Sequence, residues 1–138
     1  MNNLVLVYPM AALAALTFIM LTLMLILRVK AVRSRKISPG YFKLNEGEKE
    51  PEGLNAVTQA YNNLLELPVL FYTVCGIAIY IDKNIDYFLF VAWVYVALRY
   101  IHAFILSTYN HILHRLYVFS LSCVALIAMW LKVILLVS

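Results

Sequence analysis

The residues from Leu4 to Leu27, LVLVYPMAALAALTFIMLTLMLIL, form a segment of 24 positions without one charged side chain. An α-helix rises about 1.5 Å per residue, so a segment of this length crosses a hydrocarbon core of about 30 Å. Pro9 falls in the early turns, where a helix tolerates the missing N–H best. The segment predicts a membrane-spanning helix at about residues 4–28, which we interpret as retained rather than cleaved.

The composition of the whole chain also favours a membrane protein. Of its 138 residues, 64% are hydrophobic and 13% are charged, against about 45–50% and about 25% in ordinary globular proteins. A water-soluble domain of this size could not bury so much apolar side chain, because small domains leave much of their surface exposed. The net charge of +4 comes mainly from one loop without interleaved aromatic residues, so no nucleic-acid partner is predicted.

Three further spans follow, and two of them must include polar residues to be long enough. Leu67–Ile81 has 15 apolar residues and Tyr87–Leu98 has 12, which correspond to only about 22 Å and about 18 Å of helix. Both spans must therefore extend into neighbouring polar sequence. We predict an all-α, four-transmembrane-helix bundle that forms a single membrane domain over residues 1–138, with helices at about 4–28, 55–81, 87–109 and 115–137 and a loop at 29–54.

The basic residues predict an orientation. Seven Lys and Arg residues lie between Arg28 and Lys49, and Arg115 lies in the other connection on that side. The opposite side carries Lys83 between two aspartates. By the positive-inside rule, the loop at 29–54 is expected in the cytoplasm and both termini are expected on the extracytoplasmic side.

The length requirement brings polar side chains into the membrane. Counted from the ends of the spans, Glu66 lies about 18 Å deep and Arg99 about 15 Å deep. We expect these two residues to form an ion pair, because an isolated charge at that depth is costly. Helical spacing places the polar residues on one face of each helix, with Gln59, Asn62, Asn63 and Glu66 on the second helix and Arg99 and His102 on the third.

Two roles remain open for these polar residues. They are suited to joining the second and third helices by polar contacts, and Asn62, Asn63 and His102 are equally suited to binding a ligand near the cytoplasmic side. No metal site is predicted, because His111 and His114 fall in a turn and no second ligand motif accompanies them. A proton or ion transporter is disfavoured, because the chain shows neither a second half nor a broken helix.

Two segments together carry a family resemblance. Asn63-Leu64-Leu65-Glu66-Leu67-Pro68-Val69-Leu70-Phe71, followed by Arg99-Tyr100-Ile101-His102, resembles the MAPEG family, the membrane-associated proteins of eicosanoid and glutathione metabolism. The basic end of the first helix and the four-span layout agree over essentially the whole chain. The resemblance implies a four-helix bundle that assembles as a homotrimer and binds glutathione between subunits near the cytoplasmic side.

The resemblance also implies site residues. Arg115 matches the arginine credited with stabilising the glutathione thiolate, so it is the candidate catalytic residue. Gln59 and Asn62 stand where glutathione-using relatives carry arginines, and Leu106 and Phe119 stand where they carry tyrosines. Arginine is the natural partner of the two glutathione carboxylates, so these departures remove expected contacts. The candidate cofactor-binding residues are Arg28, Gln59, Asn62, Asn63, Glu66, Arg99 and His102.

Two functions follow from these residues. The first is a glutathione-dependent transferase or peroxidase for a lipophilic small-molecule substrate that arrives through membrane lipid, with Arg115 holding the thiol as the reactive thiolate. The alternative is a non-catalytic membrane protein of the same fold that binds a lipid or a partner helix in the crevice between subunits. In that case Arg115 would only anchor its turn at the lipid headgroups.

Overall fold

Helices account for all the regular structure in residues 2–138, the part of the chain that the computed structural model describes. A 3-10 helix at Asn3–Leu6 comes first, and the side chain of Asn2 caps it by accepting a hydrogen bond from the Leu4 N–H. The α-helices that follow are α1 (Val7–Arg33), α2 (Tyr41–Leu44), α3 (Glu52–Leu65), α4 (Pro68–Ile81), α5 (Ile85–Ser107) and α6 (Ile112–Val137).

The predicted class of fold is confirmed. Within residues 2–138, four helical segments are long and apolar enough to cross a membrane: Asn3–Arg33, Glu52–Ile81, Ile85–Ser107 and Ile112–Val137. The first of them continues to Arg33, beyond the expected end near residue 28, so its last turns carry the first basic residues of the chain. The connection to the second span is correspondingly shorter than the expected loop.

The second span is divided into two helices, whereas the sequence led us to expect a continuous helix over residues 55–81. α3 ends at Leu65 and α4 begins at Pro68, with Glu66 between them at φ −90° and ψ −95°. Pro68 has no N–H to donate to the preceding turn, and it occupies the first position of α4, where that loss is harmless. The break leaves the last carbonyl groups of α3 without partners in a following helical turn.

α5 lies at the centre of the bundle and contacts α1, α3, α4 and α6. The ring of Tyr95 stacks on Phe71 of α4, with centroids 4.6 Å apart and planes inclined by 14°. The Tyr100 hydroxyl donates to the Ala12 carbonyl at 2.7 Å and ties α5 to α1. In lipid such close packing and hydrogen bonds hold helices together, because the hydrophobic effect does not. The central position of α5 places Arg99 inside the bundle.

Both chain ends lie at the same end of the bundle. The Asn3 side-chain amide donates to the Ile79 carbonyl at 2.9 Å, near the end of α4. Near the start of α5, the ring of Tyr87 lies 5.5 Å from the Lys132 ammonium of the last helix. The long connection 34–51 and the turn 108–111 lie at the opposite end.

The carboxylate of Glu48 joins the two ends of a loop within the long connection by hydrogen bonds to Ser38. Glu48 accepts hydrogen bonds from the Ser38 N–H at 2.9 Å and from the Ser38 hydroxyl at 2.6 Å. These bonds lower the pKa of Glu48 because they stabilise its charged form. Since the folded pKa is the lower one, the closure contributes fully above the ordinary carboxyl pKa and is lost as the pH falls through the lowered value.

The clustering of basic residues at the loop end predicts that this end faces the cytoplasm, which cysteine labelling of intact cells can test. In a Cys75→Ala, Cys123→Ala background, Lys83→Cys should react with an impermeant maleimide added to intact cells, and Glu46→Cys should react only after permeabilisation. Both positions are exposed, whereas the neighbouring Asn45 and Asn84 have left-handed backbones with φ of 55°. Labelling of both cysteines from outside would contradict the orientation.

Candidate functional site

Three of the predicted site residues line one cavity at the loop end of the bundle. The cavity has a volume of about 510 Å³. α3, α5 and α6 meet there, and each contributes one polar residue. The lining consists of Asn63 from α3, His102 from α5, and Ile112, Arg115, Leu116 and Phe119 from the first turns of α6.

Arg115 is held in place by the turn that precedes its helix. Its Nη1 donates to the Asn110 side-chain oxygen at 2.9 Å. Asn110 has a φ of 47°, in the left-handed region that asparagine tolerates better than most residues. The first turn of α6 also presents unpaired N–H groups and the positive end of the helix dipole. The guanidinium and the helix end together favour an anion on this side of the cavity.

His102 and Asn63 supply the other polar groups. His102 is buried on α5, and its ring centroid lies 5.7 Å from that of Phe119. A neutral imidazole offers one donor and one acceptor, and an asparagine side chain offers both. Ile112 and Leu116, on the same turns of α6 as Arg115, add apolar surface to the cavity. The cavity therefore suits a ligand with hydrogen-bonding groups and an anionic group, in contact with an apolar compound.

Arg99 lies behind the cavity wall rather than in its lining. Its side chain is 1% exposed, and its Nη2 donates to the Asn63 carbonyl at 2.9 Å. Its guanidinium carbon is 5.8 Å from the centroid of the Phe119 ring. The last carbonyls of a helix lack partners within it, and a cation there also complements the dipole. Arg99 thus caps α3 and positions Asn63 at the cavity.

The predicted ion pair between Glu66 and Arg99 is wrong for the single chain. Within the described part of the chain, Nε and Nη1 of Arg99 have no hydrogen-bond partner, and Nη2 binds the Asn63 carbonyl instead. Glu66 is exposed at the surface. The similar depths expected for Glu66 and Arg99 were counted along a second span that was assumed to be one continuous helix. The break before Pro68 instead leaves a free carbonyl where a carboxylate was expected.

The other candidate residues lie outside this cavity. Arg28 packs against the connection, with its guanidinium carbon 5.1 Å from the ring centroid of Phe42. Gln59 lines a separate groove of about 500 Å³ beside the turn 108–110. Asn62 and Glu66 are exposed, so Gln59, Asn62 and Glu66 form a polar stripe on the outer surface of the second span. One chain alone does not bring the whole predicted set together.

Two features of the site were not predicted. Asn110, the partner of Arg115, lies five residues before it across a turn, a spacing with no general sequence signature. His111, which precedes α6, lies close to His114 in its first turn, with ring centroids 4.4 Å apart. Over residues 2–138, no group of three His, Cys, Asp or Glu side chains is arranged to hold a metal ion.

Four apolar spans with a polar cavity at one end define an integral, multi-pass membrane protein with a candidate small-molecule site. The MAPEG family model matches residues 6–135, nearly the whole chain. The protein therefore belongs to the MAPEG family, as the motifs on the second and third spans predict. No curated protein and no solved structure matched the chain.

The absence of a contact between Glu66 and Arg99 has a measurable consequence. In the dissociated single chain in detergent, Glu66→Gln should change the free energy of unfolding by no more than about 0.5 kcal/mol, as expected for an exposed side chain without a hydrogen-bond partner. In a double-mutant cycle with Arg99→Lys, the coupling energy should also stay below about 0.5 kcal/mol. A coupling above about 1 kcal/mol would show that the two charges meet.

Proposed function

We propose that this MAPEG protein binds glutathione and uses its thiolate on a lipophilic electrophile from the membrane. The observation that carries the proposal is the cavity that joins Arg115, His102 and Asn63 beside the start of α6. Its polar side suits the peptide and thiolate groups of glutathione. The apolar side chains of Ile112 and Leu116, beside Arg115 on α6, suit a substrate that enters from lipid.

Arg115 is the proposed activating residue. A cation beside a thiol lowers the thiol pKa and favours the thiolate, which is the nucleophile. The N-terminal end of α6 adds to this effect through its free N–H groups and dipole. Asn110 keeps the guanidinium at the cavity. His102 and Asn63 hydrogen-bond the peptide groups, and Arg99 positions Asn63.

Two reactions fit this arrangement. In a transferase reaction, the thiol proton leaves to solvent and the sulfur bonds to an electrophilic carbon, which releases its leaving group. In a peroxidase reaction, the thiolate attacks a hydroperoxide oxygen, and the alcohol leaves with a proton. A second glutathione then converts the sulfenic acid to the disulfide and water.

The proposal includes assembly as a homotrimer, which the family resemblance implies. The polar stripe of Gln59, Asn62 and Glu66 is exposed on a single chain. Polar side chains facing hydrocarbon are costly, and a second copy of the chain offers them partners. In this assembly the stripe and Arg28 of one copy face the cavity of the next, which completes the cofactor-binding set.

A different observation supports a second candidate function. Gln59 and Asn62 provide no cation for the glutathione carboxylates, and Phe119 places an apolar ring against His102. Leu106, at the position of the other family tyrosine, is 0% exposed and faces the core. In this function the protein is non-catalytic, and its crevice holds a lipid or a partner helix.

Calorimetric titration of the detergent-purified protein with glutathione distinguishes the two functions. The enzyme proposal predicts saturable binding at millimolar glutathione or below. Ophthalmic acid, which lacks the thiol, is the matched ligand and should bind more weakly, because it offers no thiolate to Arg115. Absence of heat up to physiological millimolar concentrations would instead support the non-catalytic function.

Substitutions at Arg115 test the activating role. Arg115→Leu should leave the assembled protein intact and abolish the ultraviolet thiolate absorbance of bound glutathione. Arg115→Lys should retain part of the signal, because the charge stays while the planar fork is lost. Asn110→Gly keeps the left-handed backbone but removes the partner of Arg115, so it should give an intermediate signal.

Arg28→Leu is the comparison variant for this measurement. It should weaken glutathione binding while leaving the thiolate signal at saturation unchanged, because a carboxylate partner does not touch the sulfur. An undiminished thiolate signal in Arg115→Leu would show that Arg115 only anchors its turn at the headgroups.

A further inference from the structure

Two apolar grooves meet along the last turns of α1. The first has a volume of about 660 Å³ and the second of about 350 Å³. Val29 and Arg33 belong to both, so the grooves flank a single cationic side chain. The first is completed by Leu25, Ile26, Lys30 and Ser34, and the second by Arg28, Val32 and Phe42.

The charge around these grooves is unbalanced within the chain. Five Lys and Arg residues lie between positions 28 and 36, and the first acidic residue of the sequence is Glu46. Lys30 and Arg33 are exposed. In the described part of the chain, the arginines whose side chains donate hydrogen bonds are Arg99 and Arg115. The cations at the end of α1 are therefore available to an external anion.

The grooves lie where α1 changes from apolar to basic. Its sequence has no charge up to Leu27 and becomes basic from Arg28. One face of α1 carries Ile26, Val29, Lys30 and Arg33 at helical spacing. On this face the two apolar side chains lie nearer the middle of the span than the two cations. This is the order of an anionic phospholipid, whose acyl chains lie below its phosphate.

We propose that the end of α1 binds an anionic phospholipid, with an acyl chain in the groove of Leu25 and Ile26 and the phosphate between Lys30 and Arg33. A zwitterionic lipid fits the grooves equally well, but its own cation opposes the basic side chains. Free phosphate meets the cations but leaves the grooves empty. The proposed phosphate position, between Lys30 and Arg33, lies outside the cavity of Arg115, and of the proposed glutathione-binding residues Arg28 alone lines one of these two grooves.

Native mass spectrometry of the detergent-purified full chain tests the site. With equal amounts of dioleoyl phosphatidylglycerol and dioleoyl phosphatidylcholine, the protein should retain the anionic lipid at a roughly fivefold or greater excess. Lys30→Gln with Arg33→Gln should abolish the preference. Arg35→Gln with Lys36→Gln is the matched control, since it removes the same charge outside both grooves and should keep the preference.

Val29→Trp tests the grooves without changing charge. Val29 is 52% exposed and lines both grooves, so a larger ring should fill them and reduce retention of the anionic lipid severalfold. Elution as a single species and an unchanged helical signal verify folding of each variant. Equal retention of the two lipids, equal loss in both double variants, unchanged retention in Val29→Trp, or complete displacement by inorganic phosphate would each overturn the proposal.

Discussion

The hydrogen bond from Arg99 to the Asn63 carbonyl is the contact on which the interior of this bundle depends. In the hydrocarbon core, backbone groups that leave a helix ladder must find partners within the protein, because water is absent. The break at Glu66 frees carbonyls at the end of α3, and Arg99 of α5 binds one of them at 2.9 Å. The same side chain lies beside Phe119, so one cation fixes α3, α5 and α6 relative to one another.

This arrangement compensates in part for burying a guanidinium without a hydrogen-bonded carboxylate, since Nε and Nη1 of Arg99 have no partner in the described part of the chain. The negative end of the α3 dipole and the face of the Phe119 ring both favour a cation. The carboxylate that the sequence offers, Glu66, lies instead on the surface with Gln59 and Asn62. Polar groups are thus divided between an interior that orders the cavity and an exterior suited to contact with another copy.

The sequence predicted the parts of this structure that depend on length and periodicity. The spans follow from the thickness of the membrane, and helical spacing on α5 placed Arg99 and His102 on one interior face. Asn63 and His102 were expected near a ligand from their positions in the spans, and Arg115 from the family resemblance; the three line one cavity. The predicted ion pair failed because depth was counted along a continuous helix, and the effect of Pro68 on the chain direction was not included.

Other features could not be inferred from the sequence. The contact between Arg115 and Asn110 depends on a left-handed backbone at one residue of a short turn, and many residues at that position would be compatible with a turn. The separation of Arg28 and Gln59 from the cavity depends on how α1 and α3 are rotated within the bundle. That rotation is set by packing over the whole interface between the helices, so the sequence around Arg28 and Gln59 does not indicate it.

The division of the second span at Pro68 also places its polar residues on one helix, α3, and its uninterrupted apolar residues on another, α4. α4, from Pro68 to Ile81, contains no charged residue and supplies the apolar part of the second span. α3 carries the amides and completes the length of that span. Gln59 and Asn62 are exposed on α3, so changing them leaves both the packed interior and the apolar α4 untouched. A bundle built in this way can acquire or lose ligand contacts while its scaffold stays the same.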